Sequence, residues 1–277
     1  MKRIDFVCVK NTVAALAVQA NTVLRPDVLS VLRKAYAAES SARAKKILGQ
    51  IIENAAIAKK EKLAVCQDTG LPIVFVEVGN GVIVSGKGIE RAIQEGVRDG
   101  YRQGNLRNSI IRDPLRSQKQ PSGFGPAIIH YEYDASHRLK ITVVPKGFGC
   151  ENKSQLKMFL PTADKKEIMD FVIGVVKNAG PDACPPYVVG VGIGGSADYA
   201  GLLAKKALRV PLTKKKSVFE RELLARINRL GIGPMGLGGR VTALSVSVLT
   251  YPTHIAGLPV AVNISCHALR SACAVLE

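Results

Sequence analysis

Cys66-Gln67-Asp68-Thr69-Gly70-Leu71-Pro72-Ile73-Val74-Phe75-Val76 is where the chain changes its period. Upstream, a long helical run ends in Lys59-Lys60-Glu61-Lys62; downstream, the β-branched run Ile73 to Val76 reads as a buried strand. A thiol, an amide, a carboxylate and a hydroxyl therefore emerge together at the mouth of a strand, with Gly70 free to take a tight turn. Loops anchored to a rigid strand commonly display reactive groups. For a lone cysteine the ordinary alternative is a polar turn with a half-buried thiol.

Outward from that stretch, helices alternate with short apolar strands. Residues 9–62 read as helices, with Pro26-Asp27 in a first turn and Ile47, Ile51, Ile52 and Ala55 as an apolar stripe. After the Cys66 turn come a strand over 73–79, a short apolar strand, and a helix over 88–103 carrying Ile89, Ala92, Ile93 and Val97. Arg116 to Gly125 is an irregular basic loop. Ala127–Tyr133 and Arg138–Val144 alternate as a β-hairpin across Asp134-Ala135-Ser136. Helices are expected at 153–160, 164–179, after Ser196 and at 217–230, with strands at 187–191, 241–249 and 259–264. This pattern gives one α/β domain (mixed α+β) over 1–277: a helical part at 1–62, then a mixed sheet flanked by helices at 63–277. The amino-terminal helices are a candidate interface.

A core of Val, Ile, Leu and Ala is expected from 47% hydrophobic content with 5% aromatic residues and no Trp. The net charge of +17 suits nucleic acid, an anionic surface, an acidic substrate or an acidic partner. The basic clusters, such as Lys59-Lys60 and Lys214-Lys215-Lys216, are dispersed and have no interleaved aromatic residues, so no stacking platform for bases is present. No apolar run reaches the ~20 residues a membrane span needs. Polar residues Asp5, Lys10, Asn11 and Gln19 interrupt the one stretch resembling a signal peptide, so a cytoplasmic protein is expected.

Six dispersed cysteines in such a chain suggest thiols or metal ligands before disulfides. Three share a setting. Cys66 opens a turn before a strand, Cys184 precedes Pro185-Pro186 and a strand, and Cys266 ends a strand. None forms a C-x-x-C pair, which disfavours a zinc ribbon; three isolated thiolates could hold an iron–sulfur cluster, or could be inert. Gly192-Ile193-Gly194-Gly195-Ser196 between strand and helix could cradle phosphate but lacks dinucleotide or P-loop spacing, so a close strand–helix turn is the plainer reading. Gly231 to Gly239 is equally open: cover, or backbone donors for an anion.

Several stretches together resemble the class I, iron–sulfur fumarate and tartrate hydratases. They are Cys66 to Gly70, Arg107-Asn108-Ser109, Pro126 to His130, Lys146-Gly147 with Glu151-Asn152, Cys184-Pro185-Pro186 with Gly190 to Gly195, and Pro252-Thr253-His254 through Cys266-His267. The resemblance covers 60 to 270 and is closest to a separate alpha subunit. It implies a 4Fe–4S cluster on Cys66, Cys184 and Cys266, with one open iron binding a small dicarboxylate during reversible hydration of fumarate to malate. It implies Asp68 in proton transfer and substrate binding, Gln67, Arg107 and Gly147 in substrate binding, and His254 in substrate binding and catalysis, with His267 a nearby neighbour. It further implies a beta subunit completing the site, within a higher hetero-oligomer.

The chain departs from the family pattern at Phe148, where a third Gly is usual, and at Cys150, where Ser is usual. Gln118 to Gly125 replaces an Asn-Thr-x-Asp-Asn stretch. Alternative readings are an L-tartrate dehydratase alpha subunit and a non-catalytic paralogue that keeps the fold for regulation or assembly.

Overall fold

A computed structural model describes residues 2–115, 121 and 123–277. Gln118, Lys119, Gln120 and Ser122 of the replaced loop lie outside the described residues. The content is mixed α and β, as expected, and the chain forms two compact units. The first comprises residues 1–25, 55–148 and 270–277; the second comprises 26–54 and 149–269.

In the first unit, the Ile73 strand is the centre. β2 (Leu71–Gly79) buries Val74 and Val76 fully and lies between β4 (Ile128–Asp134), parallel to it, and β5 (Leu139–Lys146), antiparallel. β10 (Ala272–Leu276), which the sequence reading omitted, closes the other edge beside β5. The expected hairpin of 127–133 with 138–144 is therefore corrected: both strands form, yet β2 separates them. The physical reason is burial. β2 carries apolar side chains on both faces, which only a central position covers. A small parallel pair, β1 (Lys2–Ile4) with β3 (Val82–Val84), lies alongside.

α1 (Phe6–Thr22) and α4 (Ile89–Gln103) cover this sheet. Val9, Val13 and Ala17 of α1 join Ala92, Ile93 and Val97 of α4 and Ile141 and Val143 of β5 in one core. The span Phe6–Ala38 is apolar enough by composition to cross a membrane. The chain leaves helical conformation between Thr22 and Pro26, where α2 (Pro26–Ala38) begins, and α1 spends its apolar face on this core.

In the second unit the sheet order is β6 (Gln155–Phe159), β9 (Leu258–Ser265), β7 (Tyr187–Gly194) and β8 (Ala243–Tyr251). The helix expected over 153–160 is corrected: after the short helix α5 (Phe148–Glu151) the chain enters β6. Leu156 and Met158 alternate with Gln155 and Lys157, and the free edge of β9 recruits that period-two pattern. α6 (Lys165–Ala179) starts at a capping box in which Asp164 accepts from the Glu167 N–H at 2.8 Å and Glu167 accepts from the Asp164 N–H at 3.1 Å. α6 and α8 (Val218–Asn228) bury Val172, Val176, Leu223 and Ile227 with Val189 and Ile264 of the sheet. α7 (Ala197–Ala207) lies over β7 and β9, and α3 (Ala42–Glu61) contributes residues to both units.

The glycines of β7 belong to that packing. A Cβ at Gly190 would stand 2.2 Å from the Ala204 carbonyl oxygen, and one at Gly192 would stand 2.1 Å from that of Ala200. At both positions backbone of α7 occupies the space a side chain would need, which for Gly192 agrees with the plainer reading of Gly192 to Ser196 as close strand–helix packing.

Candidate active site

In the first unit the Cys66–Gly70 turn is held from every side. Gly70 has φ +77°, and a Cβ there would meet the Pro145 carbonyl carbon at 2.7 Å, so only glycine completes the turn against β5. The Asp68 carboxylate accepts from two backbone N–H groups, Gly70 at 2.9 Å and Phe148 at 2.7 Å. Asp68 is thus both a turn cap and a carboxylate fixed across to the start of α5. Gly147 leaves room for it: a Cβ there would lie 3.3 Å from Asp68 Oδ2. Cys66, part-exposed, points its thiol toward Gln67 Oε1 at 3.5 Å.

Two residues absent from the sequence-based candidates, Arg270 and Tyr101, secure the main chain of this turn. Arg270, 3% exposed, donates to the Asp68 carbonyl at 2.7 Å and to Asn21 Oδ1 at 3.0 Å. Tyr101, also buried, donates its hydroxyl toward the carbonyls of Thr69 (2.9 Å) and Gly70 (3.1 Å). Burial pushes the Tyr101 phenol well above its ordinary value, against a lowering pull from Arg270, so it stays a neutral donor. The sequence carried no signal for this pair: Arg270 and Asn21 lie 249 residues apart, and spacing of that kind records no contact.

Arg107 joins the same unit through its backbone, whose N–H donates to Thr69 Oγ1 at 3.0 Å. Its exposed guanidinium, Asp68 and Ser109 then border a cavity of about 510 Å³. Of the expected substrate-binding residues, Asp68, Arg107 and Gly147 are thereby brought together, with Gln67 exposed on the turn beside them.

In the second unit, register brings two thiols to one end of a sheet. Val188 of β7 pairs with Ser265 of β9, so Cys184, just before β7, and Cys266, just after β9, leave the sheet together. His267 closes this end: its Nδ1 donates to the Cys184 carbonyl at 3.1 Å, which fixes the proton on Nδ1. Cys184 adopts φ +58°, rare outside glycine, ahead of Pro185-Pro186. Both thiols are part-exposed, whereas Cys150 is buried and donates toward the Ala183 carbonyl, as a packed cysteine does.

His254 lies elsewhere. It sits in the exposed turn between β8 and β9, at the opposite end of β9 from Cys266, a separation on the order of 20 Å at the usual strand rise. Its Nδ1 accepts from the Ala256 N–H at 3.2 Å, which leaves Nε2–H pointing outward as a donor in the neutral ring.

Among the described residues, no group of three or more His, Cys, Asp or Glu side chains within either unit is gathered for a metal ion. Cys66 belongs to the first unit and Cys184 and Cys266 to the second. The donor chemistry nevertheless fits an iron–sulfur group: these three thiols are part-exposed at strand ends, and two of them share one sheet end.

A family model described as fumarate hydratase (Fumerase) matches residues 10–275. The chain belongs to the fumarate hydratase family. As a member it is an enzyme, a hydro-lyase, and the family in general depends on iron–sulfur chemistry. A Methanocaldococcus jannaschii protein provisionally named L(+)-tartrate dehydratase subunit alpha is 42% identical over 274 residues, covering 95% of this chain and 96% of that relative. The L(+)-tartrate dehydratase subunit alpha of Escherichia coli is 28% identical over 265 residues, covering 93% of this chain and 87% of that protein.

Proposed function

We propose that this fumarase-family chain is an alpha-type subunit that catalyses reversible addition of water across the double bond of a small unsaturated dicarboxylate. The parent reaction is fumarate to L-malate. The observation that carries the reading is the fixed Asp68 carboxylate, bordering one cavity with the Arg107 guanidinium on the turn that displays Cys66. The names of the relatives favour a second reading, L-tartrate as substrate.

Cys66, Cys184 and Cys266 would hold a 4Fe–4S cluster, which when bound supplies a Lewis-acidic iron with an open position. Everything else falls to side chains of the chain itself. Asp68 moves the proton of the departing or arriving oxygen, since it retains lone pairs beyond the two N–H bonds that orient it. Arg107 grips a substrate carboxylate in a bidentate fashion and offsets the dianionic charge that builds beside it. Gln67 orients the substrate, and Gly147 lets it approach backbone. His254 would hydrogen-bond substrate and assist proton transfer through the ring nitrogen that faces outward, although one strand length separates it from Cys184 and Cys266 within this chain.

The relatives are named as alpha subunits, and we assign this chain a beta subunit that completes the site in a cytoplasmic hetero-oligomer. Anaerobic reconstitution tests the reading. Iron and sulfide content with a broad visible absorption is expected for the wild type and should be lost in Cys66→Ser, Cys184→Ser and Cys266→Ser but kept in Cys150→Ser. Equal loading of all four variants would remove the assignment.

A further inference from the structure

The sheet of the first unit ends in a strand that lacks the usual protection of an edge. β4 stands last in the order β10-β5-β2-β4. Sheet edges recruit other strands unless a Lys, a Pro, a bulge or a short length guards them. β4 is seven residues long, reads Ile128-Ile129-His130-Tyr131-Glu132-Tyr133-Asp134, and contains no Lys, Arg or Pro. It follows β2 without a break in register, and Tyr133 is 81% exposed, Ile128 43% and Tyr131 37%. β6, an edge of the second unit's sheet, is the contrast: its central residue is Lys157, which would face its own counterpart in a symmetric pair. The whole chain carries +17, which opposes self-association, yet β4 brings two carboxylates and no Lys or Arg to its edge. Its two faces also differ. Ile129, Tyr131 and Tyr133 alternate onto the side of α1 and α4, where Ile129 joins the core and Tyr131 senses the charge of Glu90. His130 and Glu132 lie on the other side, level with Phe75 and Glu77 of β2, and the His130 ring stacks on Phe75 with centroids 5.2 Å apart.

We infer that two copies of this chain join through β4, antiparallel, with Tyr131 opposite its own counterpart. A two-fold axis through that pair sets His130 against Glu132 twice and Ile129 against Tyr133 twice. Opposite charges and aromatic or β-branched pairs stabilise neighbouring strands, whereas like charges directly opposite destabilise them. Charge complementarity therefore selects the register. An axis at His130 opposes imidazole to imidazole and leaves Glu132 against Ile128; an axis at Glu132 opposes carboxylate to carboxylate. An axis between residues sets Ile129 against Glu132 and carries the helical layers of the two copies to opposite sides of the sheet. With the axis at Tyr131, two four-stranded sheets become one of eight strands, within the usual range, and both helical layers stay on one side. The inference concerns assembly alone and stands apart from the hydro-lyase reading.

The experiment reads mass by sedimentation velocity on the cluster-loaded full chain, alone and co-expressed with its beta-type partner. A dimer at micromolar concentration is expected for the chain alone. His130→Glu opposes carboxylate to carboxylate at two places, and Glu132→Lys opposes ammonium to imidazole at two places. Each should weaken the dimer by about tenfold or more, with the far-UV circular dichroism unchanged. Mixing the two variants should restore it, because the new carboxylate of one then faces the new ammonium of the other while a native His–Glu pair forms alongside. Hydrogen exchange on the wild type needs no substitution: protection of residues 128–134 should fall on dilution through the dimer range while that of β6 stays constant. A monomeric wild type, single variants that dimerise as well as the wild type, a mixture that stays monomeric, or protection at β4 unmoved by dilution overturns the inference. Loss of the beta-type partner from either variant complex would give this edge to that subunit and likewise overturn it.

Discussion

At the residue scale the turn at Cys66 shows how a carboxylate is held still. Asp68 is fixed through its oxygens by Gly70 and Phe148, and through its own carbonyl by Arg270. Asp68→Asn keeps the shape and removes the proton carrier; hydration rates of the loaded complex should fall by about 10²–10⁴ with iron content unchanged. Arg270→Met leaves buried acceptors on Asp68 and Asn21 without their donor. It should cost about 2–4 kcal/mol in urea unfolding, partly recovered in Arg270→Lys. A third residue reports on pH. Lys216 donates to Ser247 Oγ at 2.7 Å and is held below the ordinary lysine value of 10.5 by burial first, with Glu220 opposing and Lys214 assisting. The unfolded chain therefore binds more protons between the lowered value and 10.5, so the stability from this group rises as pH rises through that window. In Lys216→Met, urea midpoints followed from neutral to alkaline pH should lose that rise.

At the element scale, α7 packs backbone to backbone on β7 in the second unit. Gly192→Ala would drive a Cβ into the Ala200 carbonyl, so a loss of more than about 3 kcal/mol, or failure to fold, is expected. Gly201 provides the contrast on the same helix. A Cβ there meets nothing within 4 Å, so Gly201→Ala should raise the thermal midpoint by the equivalent of about 0.5–1 kcal/mol. The two melting curves, measured side by side, separate close packing from simple helix propensity. Elements with strong local signals were legible in the sequence: α4 from its apolar stripe and β2 from its β-branched run. β6 was not, because five residues with Leu156 and Met158 on alternate positions carry little signal until β9 offers an edge to pair with.

At the scale of the whole molecule, the expectation is that the isolated chain, even with iron and sulfide restored, hydrates no dicarboxylate. Co-expression with a beta-type partner should confer activity, read as loss of fumarate absorbance under anaerobic conditions. Activity of the isolated chain would remove the partner from the mechanism. Exposure to air or a chelator should abolish turnover and bleach the visible absorption together, since an open iron is the one most easily lost.

By itself the sequence determined the chemical inventory: which stretches carry thiols, carboxylate, guanidinium and imidazole, and that they alternate with helices and strands in one family's order. It did so because those signals are local, held in side-chain type and in the periods of two and 3.6 residues. Only the tertiary structure decided which of these groups meet. It placed β2 between the two strands that looked like a hairpin and set Arg270 and Tyr101 behind Asp68. It also sent Cys184 and Cys266 to one end of β9 and His254 to the other. Strand pairing and burial are contacts between residues far apart in the chain, and nothing in the spacing of a sequence records which distant partner a strand will find.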